Sequence, residues 1–272
     1  MRRTVFFVSD GTGITAETLG HSLLTQFSGF DYEQVTLPFI DSVENAEAAL
    51  ALVNRAARED GVRPIVYASL TDPGLVDLLM SANALVLDIF GGFLRSLEAE
   101  LGTRSDHAKG RSHGLVDKAL YDVRIAALNF ALSHDDGANV ERYRQADVVL
   151  LGVSRTGKTP TCIYLAMQFG VRAANYPLTE DDLCANRLPR ALNPVRERLY
   201  GLGIDAERLH RIRSERRPRS VYASLRQCQK ETYDAEALYR SERLRWLNVT
   251  AVSIEEIASR ILQDLGLSRR MY

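Results

Sequence analysis

The sequence predicts an α/β protein: an N-terminal βα domain with a parallel sheet, then a C-terminal α/β domain built on a phosphate-binding loop. Three observations carry this expectation. Short apolar runs alternate with segments of helical spacing from the start of the chain, the rhythm of parallel strands joined by helical crossovers. The stretch "GTRSDHAKGRSHG" (102–114) holds a single apolar residue, Ala108, so it reads as a linker or functional loop between two domains. The stretch "VVLLGVSRTGKTPTCIYLA" (148–166) sets a G-x-x-x-x-G-K-[ST] pattern between a buried-strand run and a helical run.

Composition sets the outer bounds. At 272 residues, with 46 % apolar and 25 % charged residues, the chain suits one large globular domain or two modest ones. A net charge of −1 argues against a dedicated nucleic-acid or membrane-surface binder. No apolar run reaches the ~18 residues needed to span a bilayer. The opening "MRRTVFFVSDGTG" lacks a small-residue cleavage site and reads as a strand, not a signal peptide. Cys162, Cys184 and Cys228 are odd in number and far apart, which suggests a reducing, cytoplasmic setting with neither a disulfide framework nor a zinc site. The histidines show no ligand spacing.

The elements follow in order. "TVFFVS" (4–9) is the first strand, and Leu19, Leu23, Leu24 and Phe27 then recur at helical spacing. "EQVTLPFI" is the second strand and runs up to Asp41; an Ala-rich helix follows to about Arg58. "RPIVYASL" and "NALVLDIF" are two more strands. These make a domain over 1–101, assigned to docking a target or a second subunit in a homodimer. After the linker at 102–114, the domain that carries the phosphate-binding loop spans 115–272. It opens on a helix from about Leu115 to Leu132 and reaches the strand–loop–helix that begins at Ala146. No internal repeat is visible.

The loop Gly152, Val153, Ser154, Arg155, Thr156, Gly157, Lys158, Thr159 matches its pattern without departure. Glycines let backbone N–H groups wrap an anion, and the helix N-terminus adds partial positive charge. Lys158 supplies a point charge, Thr159 a hydroxyl ligand for Mg²⁺, and Arg155 either stabilises the transferring group or covers the loop. The usual downstream strand ending in Asp is not evident. "ALVLD", ending at Asp88, has that form but precedes the loop and falls in the other domain, so the layout is not that of a plain ATPase.

Four further clusters carry open alternatives. Asp135 and Asp136 in "SHDDG" can bind Mg²⁺ or accept a proton from an attacking hydroxyl, or simply belong to a helix-capping turn. Asp181 and Asp182 follow the strand run "VRAANYP" and stand in reserve for the same acid/base role, or are the acids of a helix start. "SDGTGITAE" places Gly11, Gly13 and Ala16 in a G-x-G-x-x-A pattern, the form of a dinucleotide fingerprint, but Ser9 and Asp10 intervene and the terminal acid Asp41 comes late, so it reads as a tight βα turn that leaves an anion- or partner-binding role open. "RLHRIRSERRPRS" (208–220) carries six arginines against one glutamate. It can grip an acidic or phosphorylated surface, or nucleic acid, or be a solvated face. These features leave a phosphotransferase, a nicotinamide oxidoreductase and a nucleotide-regulated binding module in competition; the completeness of the loop favours the first. No H-R-D or D-F-G occurs, so a protein kinase here is not of the eukaryotic type.

Across nearly its whole length the sequence resembles the bacterial phosphoenolpyruvate synthetase regulatory proteins, relatives of the pyruvate, phosphate dikinase regulatory proteins. The resemblance runs through "FFVSDGTGITAETLG", "HDDG", "ADVVLLGVSRTGKTPTCIYLAMQFGVRAANYP", "SVYASLRQC" and "GLSRRMY". It implies a bifunctional enzyme. In one direction the enzyme transfers a phosphoryl group from ADP to a threonine of the synthetase, releasing AMP and inactivating the target. In the other, inorganic phosphate removes the group and pyrophosphate forms. The same chemistry on pyruvate, phosphate dikinase is the alternative target.

Overall fold

A computed structural model of the chain describes residues 3–106 and 118–267. The chain divides into two compact units, Met1–Gly114 and Leu115–Tyr272. The first runs β1 (Arg3–Ser9), α1 (Ile14–Leu24), β2 (Tyr32–Leu37), α2 (Val43–Glu59), β3 (Ile65–Ser69), α3 (Pro73–Met80), β4 (Leu85–Asp88) and α4 (Ile89–Leu101). Its four strands are all parallel, in the order β2-β1-β3-β4. Both faces of the sheet are covered. Val5, Phe7, Ile65 and Tyr67 pack with Ala16 and Leu24 of α1 and with Ile89, while Phe6, Val8, Val66 and Ala68 pack with residues of α2 and α3. Two-sided burial is why β1 and β3 read as continuous apolar runs without alternation.

Of the set at helical spacing, Leu19, Leu23 and Leu24 fall in α1 and Phe27 lies beyond it, and only Leu24 is buried. The helix ends at Leu24, Phe27 is 66 % exposed, and the buried residues are Ala16, Gly20 and Leu24. Close approach decides this: a Cβ at Gly20 would lie 2.3 Å from Phe7 Cε1 and 2.9 Å from Tyr67 Cδ2. The second strand stops at Leu37, because Pro38 has no N–H for the ladder and Phe39 turns to φ 58°. The amides of Phe39 and Ile40 instead donate to the carbonyls of Gly11 and Ser9 (2.9 Å each), pinning the turn after β1.

The second unit runs α5 (Lys118–Ser133), β5 (Val148–Gly152), α6 (Lys158–Phe169), β6 (Ala173–Pro177), α7 (Glu180–Ala185), β7 (Leu199–Gly203), α8 (Ala206–Arg216), α9 (Leu225–Ser241), β8 (Arg245–Asn248) and α10 (Ile254–Leu265), with 3-10 turns at Val140–Gln145, Arg190–Arg198 and Val221–Ala223. Its strands are parallel in the order β6-β5-β7-β8. The helix start at Asp181 and Asp182 corresponds to α7 and the basic run to α8, whereas β7, α9, β8 and α10 have no counterpart in the sequence expectations. The expected helix start at Leu115, residues 107–114 of the linker and the end of "GLSRRMY" lie outside the described residues. Among the described residues no helix is long and apolar enough to cross a membrane.

The two units share one strand order, although no repeat is visible in the sequence. In each, the chain steps to one side of the first strand and then crosses to the other. The carboxyl ends of β1 and β3, and of β5 and β7, therefore flank the crevice where open α/β sheets bind ligands.

Candidate functional site

In the second unit that crevice opens beside the loop at 153–157. β5 must end on glycine: a Cβ at Gly152 would meet Thr156 Oγ1 at 2.7 Å and the Leu202 carbonyl at 2.8 Å. The chain then passes through left-handed backbone at Arg155 (φ 79°) and Gly157 (φ 84°). Thr156 is buried and donates to the Val153 carbonyl at 3.0 Å, which folds the loop on itself. Gly157 is the N-cap of α6 and offers no side-chain cap, so the first amides of the helix face the crevice without a side-chain partner. Pro160 sits in the first turn, where its missing N–H costs little.

Lys158 lies inside this turn, 5 % exposed. Its Nζ donates to the carbonyls of Gly152 (2.9 Å) and Val153 (3.0 Å). Burial lowers its pKa to about 8, against the opposing pull of Asp136, Cys162 and Asp135. Cys162, one turn along α6, is pushed up to about 12 by burial and stays a thiol.

The HDDG turn comes to the loop from α5. Thr159 Oγ1 donates to Asp135 Oδ1 at 2.8 Å, and Asn175 Nδ2 donates to the same oxygen. Asn175, fully buried on β6, binds the turn along its length. Its Oδ1 accepts from the Asp136 amide (3.0 Å), its own amide donates to the His134 carbonyl (3.2 Å), and its carbonyl accepts from the Gly137 amide (3.0 Å) and the Tyr143 hydroxyl (2.7 Å). Left-handed backbone at Asp136 (φ 48°) and Gly137 (φ 79°) closes the turn. Asp136 is exposed and lines an open cavity of about 290 Å³ together with Ser154, Arg155, Gly157, Lys158, Thr159 and Pro160.

A third contribution comes from the basic run, which is not a uniform solvated face. Arg213 is fully buried. Its guanidinium donates to the carbonyls of Ser154 and Tyr222 (3.1 Å each) and to Glu231 Oε2 (2.6 Å), and it lies 4.0 Å over the Tyr222 ring. The Tyr222 hydroxyl donates to Ser154 Oγ at 2.8 Å.

The sequence candidates therefore separate. Gly152 to Thr159, Asp135 and Asp136 come together. Asp181 and Asp182 do not line the cavity: Asp182 closes a capping box with Thr179 at the start of α7, and Asp181 is exposed in the same turn. Asn175, Arg213 and Tyr222 were not foreseen. A lone amide inside the buried run "VRAANYP" was a usable signal for Asn175, whereas nothing distinguishes Arg213 from the five arginines around it. Among the described residues no group of three His, Cys, Asp or Glu is placed to hold a metal ion. The oxygen pair of Thr159 and Asp135 does suit a hydrated divalent cation, which takes few protein ligands and completes its shell from water and phosphate.

Such a site can hold an oxyanion on open helix amides and one buried ammonium, with a carboxylate at the rim for proton transfer. That defines an α/β protein equipped to handle phosphoryl groups. The chain belongs to the kinase/pyrophosphorylase family, whose model matches residues 5–262. It is 56 % identical over 270 residues to a protein of Halorhodospira halophila (99 % of this chain, 98 % of the relative). It is 53 % identical over 271 residues to one of Alcanivorax borkumensis (100 % of both), and 49 % identical over 271 residues to one of Legionella pneumophila (100 % of both). Each of the three bears the name "Putative phosphoenolpyruvate synthase regulatory protein".

Proposed function

We propose that this chain is a bifunctional regulator of phosphoenolpyruvate synthase. As a kinase it moves the β-phosphoryl group of ADP to a threonine hydroxyl of the synthase and releases AMP. As a phosphorylase it lets inorganic phosphate take that group, regenerating the hydroxyl and forming pyrophosphate. The observation that carries the reading is the meeting of the HDDG turn with the loop, through Thr159, Asp135 and Asn175. It sets an acid/base group and an oxygen ligand pair beside one phosphate cradle. The family and the names of the relatives support the target.

Both directions need two linked phosphoryl groups held next to a protein hydroxyl, and positioning and charge neutralisation supply most of the catalysis. The amides of 154–159 cradle the diphosphate. Lys158 exchanges its two carbonyl partners for phosphoryl oxygens and stays protonated as it does so. Asp136 takes the proton from the attacking threonine in the kinase direction and returns it to the leaving alkoxide in phosphorolysis. Asp135, already engaged by Thr159 and Asn175, is the anchor. With Thr159 it would hold Mg²⁺, which supplies charge neutralisation at the phosphates when bound. Arg155 covers the transferring group.

The test is incubation with purified phosphoenolpyruvate synthase and ADP labelled in its β-phosphate. Label is expected on a threonine of the synthase, with AMP as the nucleotide product. Faster transfer from ATP with accumulation of ADP refutes the reading.

A further inference from the structure

The connection between β7 and β8 holds more chain than a crossover requires. One helix joins adjacent parallel strands, and α9 alone does so here. α8 and the 3-10 turn Val221–Ala223 are an excursion placed before it. That excursion is tied to the loop by Arg213 on the Ser154 carbonyl and by Tyr222 on Ser154 Oγ. Ser154 lines the cavity, so the turn between Arg213 and Tyr222 is held close to the cavity's rim. Among its exposed side chains are Arg216, Arg217 and Arg219, against the single acid Glu215, and Val221, 81 % exposed. Among the described residues these three arginines make no ion pair, although the chain as a whole carries a net charge of −1.

We infer that this excursion is the docking surface for the protein substrate, and that it recognises an acidic segment flanking the acceptor hydroxyl. The inference rests on the proposed phosphotransfer and adds how the macromolecular substrate is chosen. A hydroxyl carried on a folded protein reaches the cavity only if the segment around it covers the rim. Unpaired cations there favour carboxylates, and the uncovered Val221 adds apolar contact. The nucleotide has its own cations at the cavity, Lys158 and Arg155. Rim charges of this kind govern encounter and salt dependence more than they govern the bound chemistry.

The test uses the full chain with Arg216→Ala, Arg217→Ala and Arg219→Ala combined, three exposed positions whose replacement leaves the buried Arg213 in place. A fluorescein-labelled oligoglutamate peptide is the first probe, read by anisotropy. Wild type is expected to bind it with an affinity that falls as salt rises, and the triple variant to lose most of that binding. With phosphoenolpyruvate synthase as substrate, KM for the synthase is expected to rise roughly tenfold, with kcat and ADP affinity unchanged and the salt dependence of KM flattened. Wild type that ignores oligoglutamate, or a triple variant that binds it equally well, overturns the inference. So does a loss of ADP affinity, which assigns the arginines to the nucleotide, or a selective loss of binding to a single-stranded RNA oligomer with KM intact. Failure of the function reading looks different: no phosphoryl transfer by wild type, with the oligoglutamate result unaffected.

Discussion

Asp135 and Asp136 are adjacent in the chain yet meet different partners. Asp135 is held by Thr159 and Asn175; Asp136 is held through its amide, which leaves its carboxylate at the cavity. Asp136→Asn is therefore expected to lower phosphoryl transfer by roughly 10²-fold or more, the contribution of a placed proton acceptor, with ADP affinity little changed. Transfer rates set beside a binding isotherm check this, and near-normal turnover returns the turn to a capping role. Lys158 gives a second prediction at this scale. Its pKa is lowered to about 8 by burial, so the free protein begins to lose the ammonium just above neutrality. A bound diphosphate favours the charged form. Between about pH 8 and 10 ADP binding should take up a proton, and affinity should fall as pH rises. Calorimetry in buffers of different ionisation enthalpy reads the uptake directly; binding without proton exchange in that window contradicts it. The linked stability effect has the same origin. The unfolded chain holds this proton up to the ordinary lysine range and the folded one releases it near 8, so this group raises stability as pH climbs through that interval.

Among elements, α1 shows how a helix can be seated by what it lacks. Ala16 and Gly20 bring its backbone down onto Phe7 and Tyr67, while the larger apolar residues Leu23 and Phe27 stay exposed. Gly20→Ala should cost about 1–3 kcal/mol, the usual penalty for overpacking a filled core, and a urea titration would measure it. Leu23→Ala on the exposed side should cost far less. Equal costs at the two positions mean that the helix is seated otherwise. The same logic explains the HDDG turn. Asn175 offers every polar group it has to four successive residues, His134 to Gly137, so β6 and not α5 sets where the carboxylates stand.

At the scale of the molecule, two units of one strand order start the helix after their first strand alike. Gly13 (φ 89°) and Gly157 (φ 84°) are both left-handed N-caps without side-chain capping. The residue that follows differs: an exposed Ile14 in the first unit, the buried Lys158 in the second. Asp10 in the first turn is also already taken by the amide and hydroxyl of Thr71. Only the second loop has a cation for phosphate. Calorimetry should therefore find one ADP per chain, with pyrophosphate competing for it. Lys158→Ala should reduce kinase and phosphorolysis together by roughly 10²–10³-fold or more, since each transition state gathers charge where the ammonium sits. A folded Lys158→Ala protein that still dephosphorylates the synthase would show two sites and refute the single-loop reading.

The sequence by itself determined the α/β class and the strand–loop–helix around Gly152 to Thr159. Each of these is written in neighbouring residues: apolar runs bounded by turn residues, glycines where the backbone must turn left-handed, a lysine at a helix start. Tertiary structure decided that the HDDG turn meets the loop, that Thr159 and Asn175 engage Asp135 while Asp136 lines the cavity, that Asp181 and Asp182 belong to a helix start, that Arg213 is buried while its neighbours are not, and where α1 meets the sheet. Those outcomes rest on contacts between residues far apart in the chain: Asp135 with Thr159 at 24 positions and with Asn175 at 40, Ser154 with Arg213 at 59. A hydrogen bond of that span depends on how whole elements pack, and local composition carries no record of the partner.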